Sequence, residues 1–510
     1  VLIKASAGGG GRGMRIVTHL DDLAGEIESA RAEAASAFGD ATVFCEPYLA
    51  TGRHIEVQVM ADAFGTVWAL GERECSIQRR HQKVIEEAPS PLVERIDGMR
   101  DRLFGAAGAA AKAIGYTGAG TVEFLADDNG RFFFLEMNTR LQVEHPVTEC
   151  TTGLDLVELQ IHVAAGHRLD EKPPSPQGHS IEARLYAEDP AADWQPQSGT
   201  LHRVAVPGVT ARFGTTSAPS GVRLDSGVED GSIVGIHYDP MLAKVISWAP
   251  TRTDAARLLA AALARAALHG VRTNRDLLVN VLRHEAFLAG DIDTAFFDRH
   301  GLASLSAPLA DVRAEELSAL AAALAADAAE PRVLAGVPSG WRNVPSQAQH
   351  LSFEGPSGVH EVSYRHTRAG LVTDSVDAVA LVRAAATEVV LDVDGVRRHF
   401  DVAPYGGAVY VDSALGPVRL VRIERFADPA DQVAPGSLLA PMPGSVVRLA
   451  VGVGDTVVAG QPMLWLEAMK MQHQINAPAA GIVAELPVQQ GQQVEVGAVL
   501  AVVIREEPDE

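Results

Sequence analysis

Cysteine is almost absent from this chain: Cys45, Cys75 and Cys150 are the only three in 510 residues, far apart and with no C-x-x-C pair. Neither a disulfide framework nor a structural zinc site is suggested by that spacing, and it fits a reducing, cytoplasmic setting. No apolar run approaches the length of a membrane span, so no membrane partner is expected. Val1 is not a natural start, which leaves room for a targeting segment upstream. Positive charge is also scarce. Against 65 acidic residues stand 43 basic ones, and the net charge of −22 disfavours nucleic acid and anionic membranes as partners and makes local basic clusters conspicuous.

Two further absences decide what the opening stretch, VLIKASAGGGGRGMRIV, can be. Gly8, Gly10 and Gly13 satisfy G-x-G-x-x-G, but the helix that a dinucleotide site requires does not follow. Met14–Val17 alternates like a second strand, and the first helical signal is the [ST]-x-x-[DE] start at Thr18-His19-Leu20-Asp21. No Lys-Ser or Lys-Thr closes the glycines as a P-loop would. The loop therefore joins two strands. Such a glycine hairpin can fold its backbone N–H groups over a polyphosphate, with Lys4 supplying a cation, and a mobile surface loop fits the same residues.

The length allows about three domains of ~150 residues each. Strand, glycine loop, strand, a helix around Asp21–Phe38 and a strand near Thr42–Cys45 come first. Strands follow at His54–Met60, Thr66–Leu70, Thr121–Ala126 and Arg131–Met137, the last two flanking Asn129-Gly130, a hairpin dipeptide. Apolar periodicity places helices at about 92–114, 153–165 and 252–268. This α+β region runs to about Leu302. An Ala-rich helix, Ala314–Ala329, opens a new segment, and Val344–Phe426 reads as short strands of a small barrel or sandwich. Asp428-Pro429-Ala430-Asp431 reads as a linker. Beyond it the chain repeats itself at an offset of 37: Ala440-Pro441-Met442-Pro443-Gly444 returns as Ala477-Pro478-Ala479-Ala480-Gly481, and Gly454, Gly460 and Leu466 return as Gly491, Gly497 and Val503. Two similar β halves related by a pseudo-dyad are implied.

Between those halves lies Glu467-Ala468-Met469-Lys470-Met471-Gln472, a hairpin connection with Lys470 at its tip. A lysine on a turn is ordinarily solvated charge, but two methionines beside it gain little from water. Ala468-Met469-Lys470-Met471 closely resembles the attachment motif of biotinyl carrier domains, where the lysine is amide-linked to biotin; lipoyl domains share the repeat and usually lack the methionines. The front of the chain then becomes readable. Arg79-Arg80-His81-Gln82-Lys83, Gly120-Thr121-Val122-Glu123-Phe124 and Glu136-Met137-Asn138-Thr139-Arg140-Leu141-Gln142-Val143-Glu144-His145-Pro146 are similar to the biotin carboxylase members of the ATP-grasp family. The resemblance covers Val1 to about Leu302 and implies ATP-dependent carboxylation of biotin by bicarbonate. The family's N-terminal α/β domain has no counterpart in these residues.

The resemblance implies a role at each matching position. The glycine loop, with Gly9, Gly10 and Gly11, would be the lid over the phosphates, and Lys4 would bind phosphate. Glu46 and Leu49 fall at the adenine connection, and His54, Gln78 and His81 match further nucleotide contacts. Pro47 departs from a common lysine and removes one amide N–H there. Glu144 matches the base toward bicarbonate, while Lys83, Arg140, Gln142 and the Val143 backbone match the bicarbonate clamp. Arg184, in Glu182-Ala183-Arg184-Leu185-Tyr186-Ala187-Glu188-Asp189, matches the cation for biotin's ureido oxygen, with Arg140 assisting.

The metal site also has an independent physical reading. A two-residue turn at Asn129-Gly130 would put Glu123 directly opposite Glu136, an unfavourable pair by up to ~1 kcal/mol unless a cation lies between them. Asn138 shares a face with Glu136. Two carboxylates and an amide oxygen suit Mg²⁺ or Mn²⁺ carrying nucleotide phosphates, whereas a solvated acidic face is the plainer reading.

The expected architecture is multidomain α+β: an ATP-grasp lid subdomain at 1–50, the rest of the biotin carboxylase at 51–305, a β-rich docking domain at 306–432 and an all-β biotinyl carrier at 433–510. About 130 residues separate Leu302 from Val433, too few for a carboxyltransferase barrel of roughly 250 residues. A carboxyltransferase β subunit is therefore the expected partner in a hetero-oligomer, with a biotin protein ligase acting on Lys470. Ser339-Gly340-Trp341-Arg342-Asn343 is similar to a turn of β-subunit docking domains, and a tryptophan capping a local core fits it equally. The resemblance leans toward a 3-methylcrotonyl-CoA carboxylase α subunit. A propionyl- or acetyl-CoA carboxylase α subunit, another carrier-using ATP-grasp ligase and a non-catalytic carrier scaffold remain as alternatives.

Overall fold

The computed structural model describes residues 1–7, 14–49, 51–79, 82–214, 218–330, 347–426, 436–468 and 471–504. Gly9, Gly10, Gly11, His81, Lys470, the 428–431 linker and the 339–343 turn lie outside the described residues.

The first strands pair as the loop argument requires: Leu2–Ala5 lies antiparallel between Arg15–Ile16 and Val43–Glu46. The helix beside them starts later than expected. A 3₁₀ turn occupies Leu20–Asp22, the α-helix is Leu23–Phe38, and neither start is capped by a side chain, so the Thr18–Asp21 signal is not used. Other helices are shortened by glycine and by pairing. Gly98 at φ +69 separates Pro91–Arg95 from Met99–Ala113, and Gly153 at φ +74 ends His145–Thr152 before Leu156–Ala164 begins. The helix expected over 252–268 stops at Ala264, because Ala267–His269 pairs as a strand with Arg203–Ala205.

The large sheet that carries the site has nine strands. Their spatial order is Val209–Arg212, Gly221–Ser226, Met241–Ala249, His179–Tyr186, Gln82–Ala88, Val67–Arg79, Arg53–Ala61, Gly118–Ala126 and Phe132–Asn138. Period-2 alternation in Arg53–Ala61 reads as a half-exposed strand, yet every residue in it is buried. One face packs Ile55, Val57 and Val59 on Leu103 and Ala107 of the helix Met99–Ala113. The other face buries His54, Glu56 and Gln58, and polar side chains shut away from water need partners. That face is the floor of the site.

Segment 347–426 is the expected barrel-like sheet and not a sandwich, with its edge strands Gly370–Thr373 and Val379–Ala385 lying against each other. Eight antiparallel strands from Gln349–Gly355 to Val418–Ile423 make one sheet that curls around the helix Val312–Ala329. The curl explains the helix composition. Leu317, Leu320 and Leu324 and their alanine neighbours are buried on all sides, and alanine lets the strands approach the axis closely. Asp311 caps this helix, accepting from the Ala314 N–H at 2.8 Å.

The terminal repeat appears in the pairing itself. Two four-stranded sheets run Ser437–Leu439, Val499–Ile504, Gly481–Glu485, Thr456–Val457 and Met471–Asn476, Pro462–Ala468, Gly444–Leu449, Gln493–Val494. A shift of 37 turns one order into the other, and Val446 opposite Leu466 becomes Val483 opposite Val503. Each sheet borrows strands from both halves, so neither half has a sheet of its own.

Candidate functional site

Each predicted site residue within the described residues lines one cleft of about 810 Å³. Lys4 and Glu46 come from the small sheet and form an ion pair at 2.5 Å at its mouth. Leu49 lies on the connection after Glu46, while His54, Gln78, Lys83, Glu123, Glu136, Asn138 and Arg184 come from the large sheet. Arg140, Gln142, Val143 and Glu144 follow the edge strand Phe132–Asn138 into the helix His145–Thr152, whose N-cap position Glu144 occupies.

At the centre Lys83 Nζ lies 2.6 Å from Glu56, 2.6 Å from Glu144 and 3.2 Å from Glu123. Burial disfavours this ammonium, but the carboxylates of Glu56, Glu144 and Glu123 outweigh it and hold its pKa well above the ordinary lysine value. Glu144 also accepts from Arg184 Nη2 at 2.9 Å. Burial raises the Glu144 carboxyl, and the charges of Lys83, Arg184 and Arg73 more than reverse that, leaving it well below the carboxylate range. Val143 offers its carbonyl to Lys244 Nζ at 2.8 Å, which fixes the peptide leading into Glu144.

Glu123 stands opposite Glu136. The turn between their strands is not the expected one. Asp127 N–H donates to Arg131 O, Gly130 takes φ +75, and the connection holds three residues rather than two. A bulge at Leu135 restores the register. Asn138 Nδ2 lies 3.0 Å from Glu123 Oε1 and 3.4 Å from Glu136 Oε1, so three oxygen-bearing side chains meet at one point on the hairpin. That donor set fits a hard divalent cation. His54 Nε2 and Gln142 Nε2 reach Glu123 at 3.1 Å and 2.7 Å. Burial raises the Glu123 carboxyl, and those bonds with the Lys83 charge bring it far below its ordinary value.

Sequence reading missed Glu56, which is fully buried between Arg73 at 2.5 Å and Lys83 at 2.6 Å. Its signal was the polar face His54, Glu56, Gln58, which alternation alone assigns to solvent. The apolar wall of the cleft was missed too: Met14, Ile16, Phe44, Tyr48, Leu125 and Leu135. At the far end of the chain, Ala468 pairs with Met471, and Gln472 donates to Glu467 at 3.1 Å beside them.

Four known families match in sequence order: "Carbamoyl-phosphate synthase L chain, ATP binding domain" over residues 1–172, "Biotin carboxylase C-terminal domain" over 182–299, "Methylcrotonyl-CoA carboxylase, alpha-subunit, BT domain" over 314–425 and "Biotin-requiring enzyme" over 436–503. The mitochondrial methylcrotonoyl-CoA carboxylase subunit alpha of Dictyostelium discoideum is 38% identical, covering 99% of this chain and 74% of that protein. The propionyl-CoA carboxylase alpha chain of Ruegeria pomeroyi is 38% identical over 98% of this chain and 77% of that one. Among solved structures, the biotin carboxylase domain of Hydrogenobacter thermophilus 2-oxoglutarate carboxylase, in complex with MgADP, ADP and bicarbonate, superposes with a TM-score of 0.56 at 42% identity, over 60% of this chain and 65% of that one. No helix among the described residues is long and apolar enough to cross a membrane. With matches over both the ATP-binding and carrier ends, this chain belongs to the biotin-dependent acyl-CoA carboxylase α subunits, ATP-dependent ligases that join a biotin carboxylase to a biotin carrier and work with a carboxyltransferase β subunit.

Proposed function

We propose that the cleft drives bicarbonate-dependent ATP cleavage to carboxylate biotin held on Lys470, and that the β subunit passes the carboxyl group to 3-methylcrotonyl-CoA. The observation that carries this reading is the placement of Glu144 between Lys83 and Arg184 in the same cleft as Lys4, Glu123 and Glu136. A scaffold that only carried and docked would have no use for that assembly. We divide the chain into a lid at 1–50, the carboxylase body at 51–305, docking at 306–432 and the carrier at 433–510.

Adenine would lie against Glu46–Leu49, and Lys4 and His81 would hold phosphate, with Pro47 contributing no N–H. Mg²⁺ or Mn²⁺ on Glu123, Glu136 and Asn138 would neutralise polyphosphate charge, and biotin would supply the nitrogen that accepts the carboxyl group. Lys83, Arg140, Gln142 and the Val143 backbone hold bicarbonate beside the terminal phosphoryl group. Bicarbonate held there would share the Lys83 charge that depresses Glu144, leaving Glu144 the stronger base that takes the bicarbonate proton. Bicarbonate oxygen then attacks the terminal phosphorus, giving carboxyphosphate and ADP. Arg184, a buried cation lining the cleft, would stabilise negative charge developing on biotin's ureido oxygen.

The lean to 3-methylcrotonyl-CoA rests on the docking-domain family over 314–425. The Ruegeria pomeroyi relative, equally identical, supports propionyl-CoA as the second reading. The protein co-purified with its β subunit and assayed on 3-methylcrotonyl-, propionyl- and acetyl-CoA decides: the first should give the highest kcat/KM, and a preference for either other would replace it. We read the compartment as cytoplasmic, consistent with free Cys45, Cys75 and Cys150, and fractionation of the source cells tests it. Biotin protein ligase is the enzyme we expect to act on Lys470.

A further inference from the structure

Two buried acids beside the cleft have no part in the steps above. Glu86, in the strand Gln82–Ala88, and Glu182, in His179–Tyr186, are direct partners across an antiparallel pair, and both are 0% exposed. Such opposition puts the two Cβ atoms ~5 Å apart on one face of a sheet. Arg184 stands two residues along from Glu182 on that same face. Its Nε donates to Glu86 Oε1 at 2.5 Å while its Nη2 reaches Glu144 at 2.9 Å. The second oxygen of Glu86 and both oxygens of Glu182 have no hydrogen-bond partner among the described residues.

Two adjacent carboxylates in a dry interior cannot both stay ionised, because their repulsion adds to the cost of desolvating each. A single proton between them removes one charge and supplies the donor that the orphaned oxygens lack. Glu86 is the one clasped by a guanidinium, so the charge stays there and the proton goes to Glu182. Resting on the role proposed for Arg184, we infer that Glu182 is a neutral carboxylic acid donating its O–H to Glu86, and that the pair is a positioning device holding Arg184 aimed past Glu144 into the cleft. The surrounding charges agree. Burial pushes both carboxyls up, that of Glu86 to about 7 and that of Glu182 well above the ordinary range, with Arg184 and Lys83 opposing this at Glu86 and Lys244 and Arg184 at Glu182, while Glu144 adds to it.

The test compares Glu182→Gln with Glu86→Gln in the full-length α subunit, with free biotin as acceptor and thermal melting to confirm folding. An amide at 182 still offers an N–H, so Glu182→Gln should lower kcat by less than about 3-fold. Glu86→Gln removes the charge that holds the guanidinium and should lower kcat for biotin carboxylation about 100-fold, with KM for ATP unchanged. Infrared difference spectra should show the carbonyl stretch of a protonated carboxyl in the parent and its loss in Glu182→Gln. Equal damage from the two substitutions, or no such band, would overturn the inference. A parent that cleaves ATP but never carboxylates biotin would instead overturn the reading of function, and the infrared band would still decide where the proton sits.

Discussion

Glu123 and Glu136 face each other across the antiparallel edge of the large sheet, with the Asn138 amide in contact with both. Glu136 is the exposed member, and Glu123 is tied to His54, Lys83 and Gln142. Glu136→Gln should therefore raise the Mg²⁺ concentration needed for ATP cleavage by about 10-fold or more. It should also leave the melting temperature unchanged or slightly higher, since one of two opposed charges is gone. Titrating Mg²⁺ at fixed ATP, beside a thermal melt, checks both. Unchanged metal dependence would remove Glu136 from the site.

Lys470 is expected to be the one biotinylated lysine. It lies at the junction of the 37-residue repeat, between the strands that pair Ala468 with Met471. Lys470→Arg keeps the charge and gives a ligase a poorer nucleophile. Streptavidin blotting of the variant should be blank, and a signal equal to the parent's would place biotin on another lysine.

Glu87 should govern part of the acid stability. Its carboxylate accepts from Arg252 at 2.6 Å and 2.9 Å and meets His179 Nε2 at 2.7 Å. Burial raises its carboxyl, yet Arg252 and His179 bring it down to about 2. A folded value below the unfolded one means stability that is present above about pH 4.3 and lost as the pH falls through the folded value. Roughly 3 kcal/mol should disappear between about pH 5 and pH 2. Urea denaturation across that range should show a steeper loss in the parent than in Glu87→Gln, which should already be weaker at pH 7.

The curled sheet leaves no room around its helix. Ala321 is 0% exposed among Leu317, Leu320 and the strands. Ala321→Leu should cost about 1–3 kcal/mol through overpacking and weaken co-purification of the β subunit. Biotinylation at Lys470 should persist, because the carrier packs around a core of its own. Normal β-subunit recovery from a destabilised variant would move docking away from this sheet.

Local chemistry was legible without the fold. The carrier repeat, the clustered motifs around Lys83, Glu123 and Glu144, and the strand-loop-strand opening depend on residues close together in sequence, where spacing and side-chain type suffice. Tertiary structure decided what depends on distant pairing. The bulge at Leu135 and a three-residue turn offset each other, so the opposition of Glu123 and Glu136 holds although the expected turn does not. Only the assembled sheet buries the polar face of Arg53–Ala61 and makes Glu56 a partner of Lys83. Only the return of Val418–Ile423 beside Gln349–Gly355 closes the curled sheet on its helix, and only the pairing of Gln82–Ala88 with His179–Tyr186 sets Glu86 against Glu182. A one-residue change of register exchanges the faces of a strand, and local sequence carries no record of which register a remote partner imposes.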